Sequence, residues 1–242
     1  MRNHLNTIII AITIIITAAI LGGAWKSSHT RNESINVNGL STQDFISDLI
    51  VWEGYYTSES TSTKEAYVQL KKDAEVIKKY LLDKGLKEKE IIFSSVNINT
   101  NYEYVSDKDG NSSRKFKGYT LTQNVTIESK EVDKVETISR EVSELIDLGV
   151  NFISYPPQYF YTKLSELKIS MLSKATEDAR NRADVIATNS KASLGSLIKA
   201  NMGIFQITAQ NGNEDYTYGG VFNTSSKNKT ASVTVRLEFG IK

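Results

Sequence analysis

The apolar residues of this chain switch repeatedly between period two and period 3.6, and that switching constrains the fold more than any other feature. Ile35, Val37 and Leu40 form a short apolar segment. Residues 45–56 (FISDLIVWEGYY) are rich in the aromatic and branched residues of strands. Ala66, Leu70, Ala74, Ile77 and Leu81 then fall on one helical stripe behind Ser62-Thr63-Lys64-Glu65, a capping-box pattern, and the stripe stops at Gly85. Val96, Ile98, Tyr102 and Tyr104 alternate with polar residues, as do Tyr119, Leu121, Val125 and Ile127 beyond a polar loop at 106–115. This pair predicts a hairpin with one buried and one wet face. A second stripe, Val135, Ile138, Val142 and Leu145, ends at Gly149, and residues 150–160 read as a strand interrupted by Pro156 and Pro157, the only prolines.

The order so far is strand–helix–strand twice over, which predicts ferredoxin-like split β-α-β units. A long helix is expected from about 163 to 189, with Leu164, Leu167, Met171, Ala175, Ala179 and Ile186 inward. Its small residues Ala175, Ala179 and Ala183 would allow close approach to a sheet. Residues 197–208 read as a strand and 211–228 as a polar loop, and Val233, Val235, Leu237 and Phe239 alternate in a final strand. The fold class expected is α+β: an antiparallel sheet with helices packed on one face, plus an N-terminal transmembrane helix. The domain plan is a membrane segment at 1–26, a tether at 27–34 and one α+β domain at 35–242, with a subdomain inserted at about 116–195.

The transmembrane expectation rests on the unbroken run of apolar, small and threonine residues from Ile8 to Ala24 (IIIAITIIITAAILGGA). As a helix it would span about 26 Å. Two readings stay open. An uncleaved signal anchor, with Arg2 on the cytoplasmic side, is preferred. The alternative is a signal peptide cut after Ala24, with Gly22 and Ala24 at positions −3 and −1. The first places a single-pass chain in a bacterial cytoplasmic membrane with its domain outside. The second releases that domain to the periplasm.

Composition removes most chemistry. The chain has no cysteine, so thiol catalysis, disulfides and cysteine zinc sites are excluded. Its two histidines, His4 and His29, lie in or near the N-terminal segment, so the domain lacks the commonest general base and metal ligand. A formal charge of +1 argues against a nucleic-acid partner. No P-loop, G-x-G-x-x-G, H-E-x-x-H or nucleophile elbow occurs. Asp107-Lys108-Asp109-Gly110 resembles the opening of a calcium loop but lacks its closing ligands, and reads as a solvated turn. Glu177, Asp178, Arg180, Arg182 and Asp184 read as a surface charge ladder with Glu177/Arg180 and Arg180/Asp184 pairs. No catalytic residue, cofactor or metal is expected.

The most unusual stretch is Tyr155-Pro156-Pro157-Gln158-Tyr159-Phe160-Tyr161. A kinked strand with core aromatics is the plain reading. The functional one is an interface or ligand surface carried by Tyr155, Tyr159, Phe160 and Tyr161. Tyr216-Thr217-Tyr218-Gly219-Gly220 is a weaker candidate of the same kind.

With its elements in order, the chain resembles the SIMPL-domain family, which includes the YggE-type proteins and the periplasmic immunogenic proteins of Gram-negative bacteria. The resemblance opens at Ile35-Asn36-Val37-Asn38-Gly39, similar to the family's I-x-V-x-G strand, and passes through Lys84-Gly85-Leu86, Gly118-Tyr119 and Leu148-Gly149-Val150. It continues through Lys174-Ala175-Thr176-Glu177-Asp178-Ala179-Arg180-Asn181-Arg182-Ala183, similar to A-x-x-x-A-R-x-K-A, to Ala192-Ser193-Leu194-Gly195. Departures are a missing proline-aspartate entry before 45–53, Arg182 where lysine is common, and the aromatic stretch at 155–161. The resemblance implies an exported α+β envelope domain, with ring assembly in some members, links to oxidative-stress tolerance in others, and no enzymatic activity. The function expected is therefore a non-enzymatic envelope protein that self-associates as a homo-oligomer. The alternatives are a small-molecule or peptide-binding module and, behind it, a carboxylate hydrolase.

Overall fold

The computed structural model describes residues 2–29, 33–106, 112–215 and 217–242. Its elements are α1 (Arg2–His29), β1 (Ser34–Ile46), β2 (Leu49–Ser60), α2 (Thr63–Asp83), β3 (Ile91–Phe93), β4 (Asn97–Ser106), β5 (Ser112–Ser129), α3 (Val132–Glu141), β6 (Phe152–Ser154), β7 (Gln158–Phe160), α4 (Leu164–Asn189), β8 (Leu194–Met202), β9 (Gln206–Ala209) and β10 (Asn228–Ile241). The chain divides into two units, one of residues 1–40, 174–203 and 234–242, the other of 41–173 and 204–233.

The larger unit is built on a sheet in which β5 pairs with β3 and β4 on one side and with β2 on the other, and β2 pairs in turn with β6 and β7. Every ladder is antiparallel. In sequence the sheet reads second, third, first, fourth strand, which is the split β-α-β order. Strand alternation decides which face is covered. Ile50, Trp52 and Tyr56 of β2 and Leu121, Val125 and Ile127 of β5 point inward and are fully buried. They meet Ala66, Leu70, Ile77 and Leu81 of α2 and Val135 and Ile138 of α3, whose stripe continues through Val142 and Leu145 in a 3-10 turn at Val142–Ile146. Burying an aliphatic side chain of this size contributes about 1.5–3 kcal/mol, so these stripes carry the stability of the unit.

The smaller unit shows why its helix is rich in alanine. Ala175, Ala179, Ala183 and Ala187 of α4 are buried. A Cβ built on Gly39 of β1 would lie 2.1 Å from the Ala175 carbonyl oxygen and 2.7 Å from the Ala179 Cβ. Helix and strand therefore touch backbone to backbone, which glycine on one side and alanine on the other permit. The Asp178 carboxylate accepts the Leu40 N–H at 2.9 Å. β10 pairs with β8 in this unit, with Leu237 opposite Ala200, and the Ile241 N–H donates to the Glu33 carbonyl at 3.0 Å.

The fold-class expectation needs two corrections. The strands fall into two antiparallel sheets, not one. The expected transmembrane helix from Ile8 to Ala24 is not upheld, because no helix among the described residues is long and apolar enough to cross a membrane. The side chains described on α1 run from Ala11 to Trp25. Within it the Thr17 hydroxyl donates to the Thr13 carbonyl at 2.8 Å.

Smaller differences have local causes. The strand expected at 45–56 breaks at Ser47-Asp48, where the Ser47 N–H donates to the Lys227 carbonyl and the Asp48 N–H to the Phe160 carbonyl. Asp48 also accepts the Thr162 N–H and hydroxyl, each at 2.7 Å. The capping box does not form. Ser62 stands at the N-cap position without a side-chain bond, because Glu65 instead accepts the Ser60 hydroxyl at 2.8 Å. Ile186, expected inward on α4, is exposed, and Ala183 and Ala187 take the buried positions.

Candidate interaction surface

β2 positions the aromatic stretch. β6 pairs with it at Gly54–Tyr56 and β7 at Leu49–Val51. Between the two ladders, residues 155–157 stand opposite only Trp52 and Glu53, so the chain bulges there. The Tyr155 N–H still reaches the Glu53 carbonyl at 2.9 Å. Pro156 and Pro157 have no N–H to offer, and the ladder resumes only at Gln158.

This geometry separates the four aromatic candidates. Tyr155 is exposed and lies beside Tyr55, ring centroids 5.8 Å apart. Tyr159 turns inward and is buried, and its N–H donates to the Thr224 carbonyl at 2.7 Å. Burial, and then the charge of Glu136, push its phenol up. Phe160 is half-buried at the end of β7. Tyr161 is half-buried against Phe45, centroids 4.8 Å apart. Tyr155 alone of the four is exposed, beside a cavity of about 390 Å³ lined by Val51, Glu53, Pro156, Pro157, Gln158 and Thr224. The cavity offers apolar walls and one carboxylate.

A second aromatic surface lies on the β4–β5 hairpin. The β2–β5 ladder runs from Ile50 opposite Ser129 to Ser60 opposite Tyr119 and stops. Beyond it β4 and β5 continue alone, from Asn101 opposite Gly118 to Ser106 opposite Ser112. This two-stranded ribbon carries Tyr102 and Phe116 as a cross-strand pair, centroids 6.3 Å apart, with the Arg114 guanidinium 3.5 Å from the Tyr102 ring centroid. Tyr104 is 72% exposed. The calcium-like stretch 107–110 lies outside the described residues. So does Tyr216 of the late-loop candidate, whereas Tyr218 is fully exposed.

The charged residues form structural pairs. Asp178 pairs with Arg182 at 2.9 Å, a different partnership from the expected Glu177/Arg180 and Arg180/Asp184 pairs. The Leu40 N–H, with Arg182, holds the Asp178 carboxyl below its ordinary value. Lys84 bridges Glu141 and Glu144, each at 2.8 Å, over the Tyr80 ring. Among the described residues no cluster of three or more acidic or histidine side chains could hold a metal.

Sequence reasoning missed Lys229. It is 2% exposed, on β10 opposite Ala209, and its amine reaches Asn223 of the late loop. Strand parity was the available signal: Lys229 shares a face with Ala231, Val233 and Val235, all buried.

No curated protein matches the chain. The model of the SIMPL family, described as "Protein of unknown function (DUF541)", matches residues 35–239, and the chain belongs to that family.

Proposed function

We propose that this protein is a non-enzymatic component of the bacterial envelope, exported to the periplasm, that works by associating with further copies of itself. Membership of the SIMPL family supports the periplasmic setting. In this reading residues 1–24 are a secretion signal, removed after Ala24. The observation that carries self-association is the β4–β5 ribbon with exposed Tyr102, Tyr104 and Phe116. A two-stranded ribbon is marginally stable alone in water, and large exposed aromatics on it gain stability when a partner covers them. Aromatics and arginine are the side chains enriched in interface cores, and Arg114 is already stacked there. The test is light scattering behind size exclusion on the protein recovered from the periplasmic fraction, with its N-terminus sequenced. The expected result is a defined oligomer beginning at Trp25. A monomer across the micromolar range overturns the self-association.

A second reading has its own observation, the cavity beside Tyr155 with Glu53 as its single carboxylate. It fits a small module that takes an apolar or cationic ligand. Saturable quenching of tyrosine fluorescence, lost in Tyr155→Ala, would support it.

A further inference from the structure

The least expected chemistry lies where the late loop folds back on β9. The Asn223 N–H donates to the Ile207 carbonyl at 2.8 Å, so the loop runs along one side of β9. On the other side β10 pairs with β9, Lys229 opposite Ala209. Asn223 and Lys229, both buried, therefore converge from opposite flanks of one strand. The Lys229 Nζ donates to the Asn223 backbone carbonyl and lies 3.4 Å from its side-chain Oδ1. That Oδ1 also accepts the Ser226 N–H at 2.9 Å. The Nδ2 of the same amide donates to Glu214 Oε1 and, at 3.2 Å, to the Ser225 hydroxyl. Glu214 is fixed in turn by the Ala209 N–H, 2.8 Å from its Oε2.

Each group stands where an amide exchange needs it. A lysine amine attacks only when neutral, and burial favours the neutral form. Burial pushes the Lys229 amine down to about 8, offset in part by Glu214. The Lys229 nitrogen stands 3.4 Å from the Asn223 side-chain oxygen, beside the carbon it would attack. The Ser226 N–H points at the oxygen that gathers negative charge as the amide carbon becomes tetrahedral. Glu214 holds the nitrogen that must leave.

We infer that Lys229 and Asn223 join in an intramolecular amide bond, with Glu214 as the proton shuttle. The Nζ lone pair of neutral Lys229 forms a bond to Asn223 Cγ. The carboxylate of Glu214 takes the proton that Nζ sheds and returns it to Nδ2. The Cγ–Nδ2 bond breaks and Nδ2 departs as ammonia. One amide is exchanged for another, no electron changes hands, and Glu214 ends as it began. The product staples the late loop to β10 across β9.

The test is tryptic mapping by mass spectrometry of the full chain as isolated from its native host, denatured before digestion. Trypsin does not cut after an acylated lysine. The expected species joins residues 200–227 to residues 228–236 and is one ammonia lighter than the two linear peptides together. Lys229→Arg and Asn223→Ala are expected to lack it. Glu214→Gln keeps the shape of the side chain and an oxygen for the Ala209 N–H, and formation should slow about 100-fold or more, the usual worth of a general acid–base group. Recovery of linear Thr230–Arg236 from the unmodified protein, showing that trypsin cut after Lys229, overturns the inference. So does an ammonia loss that maps to Asn38-Gly39 or Asn211-Gly212, where an asparagine can cyclise on its own backbone.

Discussion

Replacing Gly39 with alanine tests the tightest contact in the smaller unit. The added Cβ would sit 2.1 Å from the Ala175 carbonyl oxygen and 2.6 Å from the Ala179 nitrogen. A carbon and a carbonyl oxygen normally stop at about 3.3 Å, so the helix must retreat by roughly 1 Å. A gap of that size forfeits a quarter to a half of the dispersion attraction of each contact it opens. It opens them along the alanine face of α4, whose buried residues are packed by shape alone. The expected cost is about 3 kcal/mol, at the upper end for overpacking a core. With a urea slope of about 2 kcal/mol/M, the unfolding midpoint should fall by about 1.5 M. Far-UV circular dichroism is the suitable probe, since Trp52 lies in the other unit. Gly149→Ala is the control. Gly149 has φ +82° and nothing within 4 Å of its built Cβ, so it carries only the left-handed backbone penalty of about 1 kcal/mol. The steric reasoning fails if Gly39→Ala costs no more than Gly149→Ala.

Burial pushes the Asp73 carboxyl up, partly offset by the Gln69 amide 2.8 Å away and by Lys72. The folded state then holds that proton more tightly than the unfolded chain, so the stability linked to it is complete below the unfolded value near 3.8 and is lost as pH rises through the folded value. Asp73→Asn should therefore raise the thermal midpoint at pH 7 and leave it unchanged at pH 3; the reverse order would refute the sign. Tyr104→Ser combined with Phe116→Ser should leave the unfolding free energy within about 0.5 kcal/mol of the parent's, as surface changes do, while reducing the mass seen by light scattering. An unchanged mass would remove the ribbon from the interface.

The sequence shows some of these features plainly and hides others for physical reasons. Both stripes on α2 and α3 were legible because a surface helix must bury one face, and Val135, Ile138, Val142 and Leu145 are all buried. The inward face of β5 was legible from its alternation, with Leu121, Val125 and Ile127 buried, and the alanine spacing on α4 correctly implied close contact with a strand. What was hidden depends on partners remote in sequence. The break at Ser47-Asp48 is made by Lys227, Phe160 and Thr162, and nothing within 45–56 encodes it. Glu65 looked like half of a capping box until Ser60, not Ser62, proved to be its partner. The aromatic stretch read as one surface because every side chain in it was large. Parity and the proline bulge split it, sending Tyr159 into the core and Tyr155 out. Lys229 was missed because the last strand was read only from Val233 onward, although its place in the alternation of β10 puts it inside.

The exposed face at Tyr155 is held in place from within the core, and a change at Trp52 should show this. Trp52 is fully buried, meets the Phe152 ring edge-on at 5.9 Å and donates its indole N–H to the Ser154 hydroxyl at 2.9 Å. Next to it Gly54 leaves room for Phe152, whose ring lies 2.3 Å from where a Cβ would be. These contacts seat β6, a strand of three residues with three partners on β2. Trp52→Phe removes the indole N–H and part of the ring volume. The cost should be about 1.5–3 kcal/mol, set by how far the core closes over the gap. The loss should fall unevenly. Amides of β6 and of Tyr155, whose N–H reaches the Glu53 carbonyl, should exchange hydrogen faster. The long β2–β5 ladder should keep its protection, because local opening follows the weakest set of contacts. The remaining tryptophan, Trp25, is 68% exposed, so the variant's fluorescence should also shift to the red. Uniform acceleration across β2, β5 and β6 would mean that the ledge bearing Tyr155 is no more local than the rest of the sheet. In that case neither the cavity nor the aromatic pair beside it could adjust to a partner without unfolding the unit.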